Sequence, residues 1–287
     1  PRSTPKPSSA ASDVYKRQKL MVAPNGSKRM KIDHESIPIT IGEICSTAKA
    51  CYNSGAEAIH FHVRNNNGLH VLDSGLYKEA LTELNLIVPK MHLQITTEAI
   101  GIYSPEQMRI LIYNVDTPGI SIGIKEMIPS GNPTDEDIKV YKYLVEKETK
   151  IQHICYFPEE LEILSKLIKV AELPNENTWC MFTIGHYTGR KSDPNLIPMF
   201  LDSKKKNQIN GDWAVCAFSV EEKECIKKAI NLNGNIRVGF ENSIKALDLD
   251  IKNKNILLVG AGGIGTSLSH YFLTEGVKKV RIHDVNN

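Results

Sequence analysis

The sequence predicts an α/β protein: a (β/α)₈ TIM barrel over residues 19–243, followed by an incomplete Rossmann-like βαβ unit over residues 244–287. Short β-rich runs alternate with longer helical patterns, which is typical of parallel strands joined by crossover helices. The length of 287 residues also suits one barrel of about 250 residues. In addition, the second β-rich run places two histidines on one face, and barrel active sites lie at the ends of such strands.

Eight β-rich runs are the strand candidates, and most are bounded by Gly, Asn, Asp or Pro. Eight units match a closed barrel better than an open sheet. The predicted strands are Lys19–Ala23, Ala58–Val63, His92–Thr97, Gly119–Ile124, Ile151–Tyr156, Trp179–Ile184, Trp213–Phe218 and Ile236–Glu241.

Helical patterns lie between these runs. In Ile41–Asn53 the apolar positions recur three to four residues apart, with Thr40 before the helix and Gly55 after it as start and stop signals. No eighth helix is evident after Glu241, which weakens closure of the predicted barrel. The other predicted helices are Gly75–Ile87, Pro105–Tyr113, Thr134–Glu146, Glu159–Ala171 and Val220–Asn231.

The two ends differ from the body of the chain. Residues 1–18 are rich in Pro, Ser and charge without periodicity, so we expect a disordered tail. Residues 13–18 also resemble the translation of a transposon end used in sequencing libraries, so the segment is either a natural tail or an assembly scar. At the other end the chain stops after one βαβ unit, and we expect the second domain to be truncated.

Composition excludes several classes of protein. A net charge of +2 with 24% charged residues gives no reason to expect nucleic acid or an anionic membrane as partner. No run approaches the roughly 18 apolar residues of a membrane span, and no secretory signal is visible. The six cysteines lie in apolar segments without a C-x-x-C pair, which favours buried free thiols in a cytoplasmic protein over a disulfide framework or zinc knuckle.

The second predicted strand carries a candidate metal site. Because strand side chains alternate, His60, His62 and Arg64 share one face, and the apolar residues between them share the other. In a barrel the apolar set meets the helices, so the histidines should line the interior near the mouth. Such a pair is by itself equally consistent with a hydrogen-bonded interior pair.

An acidic third ligand is available at the end of the eighth strand. Glu241 closes that strand, and alternate strands of a barrel contribute to the same interior layer. Two His and one Glu leave coordination positions open, which is typical of catalytic zinc. We therefore favour a Zn²⁺ site formed by His60, His62 and Glu241.

Four motifs resemble those of the β-keto acid cleavage enzymes, in order and at suitable spacing. They are Met21-Val-Ala-Pro-Asn-Gly26, His60-Phe-His-Val-Arg64, Gln94-Ile-Thr-Thr97 and Arg237-Val-Gly-Phe-Glu-Asn242. The resemblance, over about residues 19–243, implies a zinc-bearing barrel, usually a homo-oligomer. It also implies exchange of an acyl group between a small β-keto acid and the co-substrate acetyl-CoA, giving acetoacetate and a new CoA ester.

The resemblance also suggests roles for three more residues. Arg237 is a candidate for holding developing negative charge or the neighbourhood of Asn242, with an interior salt bridge as the alternative. Thr96 matches a substrate-binding hydroxyl, although Thr is also a good strand former. The best-known member, which cleaves 3-keto-5-aminohexanoate, has an aspartate where this chain has Asn242, and an amide cannot act as a general base.

A further departure bears on the substrate. Gln152 falls where a carboxylate is expected on the fifth strand, and an ammonium-bearing substrate would need carboxylate partners. We therefore expect a different β-keto acid. His186, just past the sixth strand, is either a substrate contact or a solvated loop residue, and Lys204–Lys206 is either a CoA-phosphate contact or solvated surface.

The C-terminal segment carries a separate motif. Asn255–Val259 followed by Gly260-Ala-Gly-Gly-Ile-Gly265 fits a strand, a glycine turn and a helix start for a dinucleotide pyrophosphate. Gly260, Gly262, Gly265 and the ribose-binding candidate Asp284 resemble the cofactor domain of shikimate dehydrogenases. One such unit cannot enclose NAD(P), so we expect at most half a site. An NAD(P)-dependent oxidoreductase is the alternative function, and a non-catalytic metal-binding barrel is the third.

Overall fold

Eight parallel strands form one curled sheet in chain order, with helices between them. The computed structural model describes residues 21–53, 56, 58–186, 189–218, 221–237 and 239–242. Neighbouring strands pair in parallel from the first to the eighth, which is the arrangement of a (β/α)₈ TIM-barrel-like fold. The strands are β1 Met21–Val22, β2 Ala58–His60, β3 His92–Thr96, β4 Gly119–Gly123, β5 Lys150–Cys155, β6 Trp179–Ile184, β7 Trp213–Ala217 and β8 Asn235–Ile236.

The helices cover the outside of this sheet. They are α1 Ile41–Asn53, α2 Ser74–Ile87, α3 Pro105–Asn114, α4 Ile124–Met127, α5 Asp135–Glu146, α6 Glu160–Val170, α7 Leu196–Lys206 and α8 Glu222–Asn231, with a 3₁₀ turn at Asn175–Asn177. Two start signals are capping boxes, in which Ser104 and Thr134 exchange hydrogen bonds with the third helical residue. Thr134, where the sequence predicted that the helix starts, is therefore the N-cap of α5, and α5 itself begins at Asp135.

Side-chain alternation divides the sheet into two faces. Outward residues such as Ile59, Phe61 and Leu93 pack into the large core between strands and helices. Inside the barrel, β5 to β7 contribute a separate apolar cluster that includes Ile154 and Met181. Toward the barrel mouth, the inward residues of β2, of β3 and of the segment after β2 are instead polar and buried, namely His60, His62, Gln94 and Thr96. Near the mouth, the barrel interior is thus polar at β2 and β3, and it includes an apolar cluster at β5 to β7.

No ladder joins β1 to β8 within the described residues, and side-chain contacts bridge the seam instead. Arg29 Nη2 donates to the backbone oxygen of Asn242 at 2.9 Å, and the rings of His34 and Phe240 lie 4.5 Å apart. A Cβ on Gly26 would come within 2.6 Å of the Glu241 side chain. Glycine at position 26 therefore lets the loop after β1 approach the predicted metal ligand.

Several predicted strand boundaries were wrong, most of them by one residue and the ends of β2 and β8 by more. β2 ends at His60 rather than Val63, because the side chain of Asn25 takes the hydrogen bonds of the His62 backbone. β4 ends at Gly123, and Ile124 begins the short helix α4, because Ile124 and Met127 pack into the outer core.

The eighth strand is also shorter than predicted. β8 ends at Ile236, and residues 239–242 form a turn closed by a hydrogen bond from Asn242 N to Gly239 O at 2.8 Å. Gly239 has a φ of 152°, which glycine adopts more easily than other residues. Helices α4 and α7 were absent from the sequence prediction, and the predicted tail at residues 1–18 lies outside the described residues.

Candidate metal and active site

The side chains of His60, His62 and Glu241 converge inside the barrel mouth. The Nε2 atoms of His60 and His62 lie 3.1 Å apart. Glu241 Oε2 lies 3.4 Å from His60 Nε2 and 4.0 Å from His62 Nε2. One donor atom from each residue falls within 4.8 Å of the others, and all three residues are buried. Tetrahedral ligands at zinc bond lengths of 2.0–2.1 Å would stand about 3.3 Å apart. The spacing therefore fits a single ion.

Hydrogen bonds at the far side of each imidazole fix which nitrogen faces this centre. His60 Nδ1 donates to Gln94 Oε1 at 2.8 Å, so its Nε2 presents a lone pair. Burial, followed by the charge of Arg237, lowers the pKa of His60 to about 3. The pKa of His62 is also well below its ordinary value, mainly because of burial and then because of His70. Neutral imidazoles are the form that binds a metal.

The centre is electron-rich in the absence of a cation. Glu241 Oε2 has no hydrogen-bond partner among the described residues, and it faces the Nε2 atoms of both imidazoles. Lone pairs this close repel each other unless a positive charge lies between them. The donor set therefore fits a divalent cation with room for additional ligands.

His62 is held in place by groups on three loops. Its Nδ1 lies 3.4 Å from Nδ1 of His70 and 3.6 Å from the carboxylate of Glu98. Its backbone N–H donates to Asn25 Oδ1 at 3.0 Å, and its carbonyl accepts from Asn25 Nδ2 at 2.9 Å. Glu98 continues the inward alternation of Gln94 and Thr96, and this period of two could have identified it. No sequence pattern indicates His70.

Arg237 is ion-paired with the candidate metal ligand. Its Nη2 lies 2.7 Å from Glu241 Oε1, the oxygen that is further from the imidazoles, and also donates to Cys216 Sγ at 3.5 Å. The interior salt bridge considered from sequence is therefore present, and its acidic partner is Glu241. Burial raises the pKa of Glu241, and Arg237 opposes that increase.

Asn242 and Thr96 both lie beside this centre. Asn242 is buried next to Cys216, and its backbone oxygen accepts the hydrogen bond from Arg29. Thr96 Oγ1 accepts from Ser121 Oγ at 3.0 Å and from the Glu98 backbone N–H at 3.1 Å. Gln152 is buried inside the barrel, and neither side-chain polar atom has a hydrogen-bond partner among the described residues.

A single pocket at the mouth contains the metal candidates, Thr96, Glu98 and Arg237. The opposite side of its lining includes Thr183 and, from the apolar cluster of β5 to β7, Ile154, Tyr156 and Phe218. His186 also lines this pocket, half-buried against the ring of Tyr156 at 5.8 Å, so it is more than a solvated loop residue.

The lysine run is on the other side of the molecule. Lys204–Lys206 forms the last turn of α7, and the Nζ atom of Lys204 donates to the backbone oxygen of Ile209, before β7 begins. In a barrel this is the end of the strands opposite the active-site mouth. The placement favours solvated surface over a contact with CoA phosphates.

All six cysteines are free and buried, as predicted. Within the described part of the chain, no helix has the length and apolar character that a membrane crossing requires. Gly260, Gly262, Gly265 and Asp284 lie outside the described residues, so the structure does not test the predicted dinucleotide site.

Relatives of known function match most of the chain. A 3-keto-5-aminohexanoate cleavage enzyme from Acetoanaerobium sticklandii is 22% identical over 225 residues, which is 76% of this chain and 80% of that protein. A 3-oxoadipate:acetyl-CoA acetyltransferase from Cupriavidus necator is 18% identical over 248 residues, covering 84% and 85% of the two chains. None of these similarities supports the resemblance of the C-terminal segment to shikimate dehydrogenases.

Solved structures share the fold at low sequence identity. ObcA, in a ternary complex with a C4-CoA adduct and oxalate, has a TM-score of 0.57 at 10% identity over 73% of this chain, which spans 58% of the ObcA chain. A 3-dehydroquinate dehydratase from Enterococcus faecalis has a TM-score of 0.55 at 10% identity, over 90% of this chain and 94% of that one. These similarities concern the barrel alone.

The family model described as beta-keto acid cleavage enzyme matches residues 19–262, which is most of the chain and includes the three metal candidates and the other residues of the pocket at the mouth. The match confirms the resemblance based on the four motifs. The chain belongs to the β-keto acid cleavage enzyme family.

Proposed function

We propose that this enzyme exchanges acyl groups between a β-keto acid and acetyl-CoA. In the reaction R–CO–CH₂–COO⁻ plus acetyl-CoA gives acetoacetate plus R–CO–CoA. The bond between the R-acyl carbon and C2 breaks, C2 gains the acetyl group, and the CoA sulfur ends on the R-acyl group. Atoms and charge balance without an oxidant or reductant. The family and the activities of the two relatives support this reaction.

The observation that carries the proposal is the buried donor set of His60, His62 and Glu241 at the mouth of the barrel. These residues would hold a divalent ion, and zinc suits two imidazoles and one carboxylate. When bound, such an ion supplies Lewis-acid stabilisation of the negative charge that develops on a β-keto acid. The other side chains of the site keep this donor set in place and shape the space for the substrate.

Arg237 keeps Glu241 ionised and correctly oriented. The ion pair at 2.7 Å occupies Oε1 of the carboxylate and leaves Oε2 directed at the imidazoles. Because a buried carboxylate tends to bind a proton, the neighbouring guanidinium favours the charged form that a metal requires. We propose that Arg237 acts in this way and also stabilises negative charge on the substrate.

Thr96 and Asn242 are proposed substrate contacts. The Thr96 hydroxyl lines the pocket and is oriented by Ser121. Asn242 follows Glu241 directly and brings a buried amide to the metal side of the site. Both groups are neutral, so we assign them to hydrogen bonding of the substrate carboxylate or ketone rather than to proton transfer.

The wall across the pocket from the metal candidates limits the substrate. It includes Ile154, Tyr156 and Phe218. The motif resemblance implies a carboxylate at positions 242 and 152, where this chain has Asn242 and Gln152. An ammonium group would lose hydration there without gaining an acidic partner. We therefore propose a β-keto acid other than 3-keto-5-aminohexanoate, with a tail that carries no ammonium group.

The test is acetoacetate formation from acetyl-CoA and a panel of β-keto acids with neutral, acidic and ammonium-bearing tails. We expect activity with at least one acid, loss of that activity in a chelator, and recovery with Zn²⁺. Glu241→Gln should abolish it, whereas Glu136→Gln, an exposed change on α5, should not. Absence of activity across the panel in metal-loaded protein, or full activity in Glu241→Gln, would overturn the proposal.

The other sequence-based expectations stay predictions. They are zinc as the resident ion, a homo-oligomeric assembly and a cytoplasmic location. The NAD(P)-dependent oxidoreductase alternative is not favoured by the relatives, which are named as a 3-keto-5-aminohexanoate cleavage enzyme and a 3-oxoadipate:acetyl-CoA acetyltransferase.

A further inference from the structure

His70 lies directly behind a candidate metal ligand, on the loop that follows β2. Its side chain is buried, and its ring packs edge-on against His62 with centroids 4.9 Å apart. Tyr103 covers its other side, with ring centroids 6.2 Å apart and a hydrogen bond from the hydroxyl to the His70 backbone oxygen at 3.4 Å. An isolated bridge between Arg64 and His70 fixes this loop against the end of β2. The ring is therefore held in one place.

The hydrogen bonds of His70 determine where its proton lies. Its Nε2 is 3.0 Å from the backbone oxygen of Glu98, and a carbonyl only accepts, so Nε2 carries the proton. In the neutral ring Nδ1 is then an acceptor. It faces His62 Nδ1 at 3.4 Å, and only a proton on that His62 nitrogen makes this contact favourable.

The Glu98 side chain acts in the same direction. Its carboxylate lies 3.6 Å from the same His62 nitrogen, and a negative charge there also favours a proton on Nδ1. A proton on Nδ1 of neutral His62 leaves its Nε2 with a lone pair, and that atom is 3.1 Å from His60 Nε2. The contacts behind His62 thus orient its metal-binding atom toward the centre.

We propose that His70 is a positioning residue that holds His62 in the tautomer and ring orientation required for metal binding. The inference rests on the proposed function, because it concerns the same metal site. His70 is not itself a ligand of that ion: its Nε2 bonds to Glu98, and its Nδ1 faces the nitrogen of His62 directed away from the centre. Partners behind metal-bound histidines typically change metal affinity by about 10- to 100-fold.

The first test needs no metal. In ¹⁵N-histidine-labelled, metal-free protein, we expect the NMR shifts of His62 to show a protonated Nδ1 and an unprotonated Nε2. In His70→Ala the Nε2-protonated tautomer should appear. A wild-type His62 with its proton on Nε2, or an unchanged tautomer in His70→Ala, would overturn the proposal.

The second test uses Zn²⁺ and Co²⁺ alone, titrated into metal-free protein. Two variants separate the nitrogens of His70: Asn can place an acceptor near the Nδ1 position, whereas Gln can reach the Nε2 position without supplying an acceptor to His62. We expect His70→Asn to bind metal within a few-fold of wild type, and His70→Gln and His70→Ala to bind about 10- to 100-fold more weakly. His92→Asn, at the opposite end of β3, is the matched control and should bind as wild type does.

These outcomes distinguish a failure of the role proposed for His70 from a failure of the proposed metal site. Wild-type affinity in His70→Ala and His70→Gln overturns the positioning role and leaves the proposed function intact. Equal weakening in His70→Asn and His70→Ala also overturns it, because the acceptor would then be irrelevant. A wild-type protein that binds neither ion overturns the metal site and the role of His70 together. Thermal unfolding of the metal-free variants shows which of them remain folded enough for the comparison.

Discussion

Asn25 binds both backbone groups of His62, which places a side chain where a neighbouring strand would otherwise pair. Its Oδ1 accepts from the His62 N–H at 3.0 Å, and its Nδ2 donates to the His62 carbonyl at 2.9 Å and to the Pro38 carbonyl at 3.0 Å. All of these groups are buried. The end of β2 is therefore fixed by the loop that follows β1, and the ring of His62 is fixed with it.

Asn25→Ala should destabilise the protein by about 2–4 kcal/mol, because buried backbone N–H and C=O groups lose their partners. Freed from this restraint, His62 should also bind metal less tightly. Urea unfolding of metal-free protein measures the first effect, and Zn²⁺ titration measures the second. Asn114→Ala, which removes an exposed hydrogen bond within α3, is the control. Unchanged stability in Asn25→Ala would show that water replaces the amide without cost.

His60→Ala should remove metal-dependent activity and leave the fold. A Lewis acid contributes several kcal/mol to this kind of chemistry, so kcat/KM should fall on the order of 10³-fold or more. The apolar core between the sheet and the helices does not include His60, so the circular dichroism spectrum should be unchanged. A variant that unfolds instead would identify the site as structural.

Much of the candidate metal site could be predicted because strands have a period of two. His60 and His62 were placed on the interior face by the apolar residues between them, and the structure places Ile59, Phe61 and Val63 in the outer core. Glu241 was predicted from the order of the strands, and it does reach the histidines. It does so from a turn after β8 rather than from the strand, since Gly239 redirects the chain.

The groups around the ligands were less predictable. His70 and Asn25 reach the site from loops, where no repeating pattern indicates the direction of a side chain. Helix α4 was not predicted, and its first residue, Ile124, was assigned to the end of the fourth strand; packing against the outer core, which local preference does not describe, decides its position. The ion pair between Arg237 and Glu241 depends on the turn at residues 239–242, and tertiary contacts rather than a local pattern determine that turn.

Glu126 should make stability depend on pH. This residue of α4 accepts from the Ala99 N–H at 3.4 Å, and burial followed by the charge of Glu98 raises its pKa from 4.5 to about 8. Glu160 adds to the increase, and the Ala99 hydrogen bond opposes it. As pH rises from 4.5 to about 8, the unfolded chain loses this proton before the folded protein does, so stability should fall across that window.

Glu126→Gln should remove this dependence and keep the acceptor for Ala99. Between pH 5 and pH 8, the free energy of unfolding of the variant should rise by about 1–3 kcal/mol relative to that of wild type. This is less than the pKa difference implies, because the residue is partly exposed. Urea unfolding of metal-free protein at both pH values measures the difference. Glu79→Gln, an exposed change on α2, should show no such trend. A Glu126→Gln difference that is constant with pH would contradict the raised pKa.

Asn242→Ala should be slow but active, because Asn242 is buried beside Cys216 next to the candidate metal ligand. Loss of a buried polar partner should cost about 1–3 kcal/mol of transition-state stabilisation. The loss is measured as kcat/KM with the β-keto acid that the wild-type enzyme uses best. A variant as fast as wild type would exclude a contact between Asn242 and the substrate.

Asn242→Asp is the sharper test of specificity, because it adds a negative charge next to Glu241 while nearly preserving the shape of the side chain. An ammonium-bearing tail would gain an acidic partner, whereas an anionic or neutral tail would gain none and would meet added negative charge. We expect kcat/KM for 3-keto-5-aminohexanoate to rise relative to that for β-keto acids with neutral tails. Competition between the two substrates in one reaction measures this ratio directly, without error from enzyme concentration or metal content. The same ratio in Asn242→Asp and wild type would show that position 242 does not select the substrate, and that selectivity must then come from the apolar wall of Ile154, Tyr156 and Phe218.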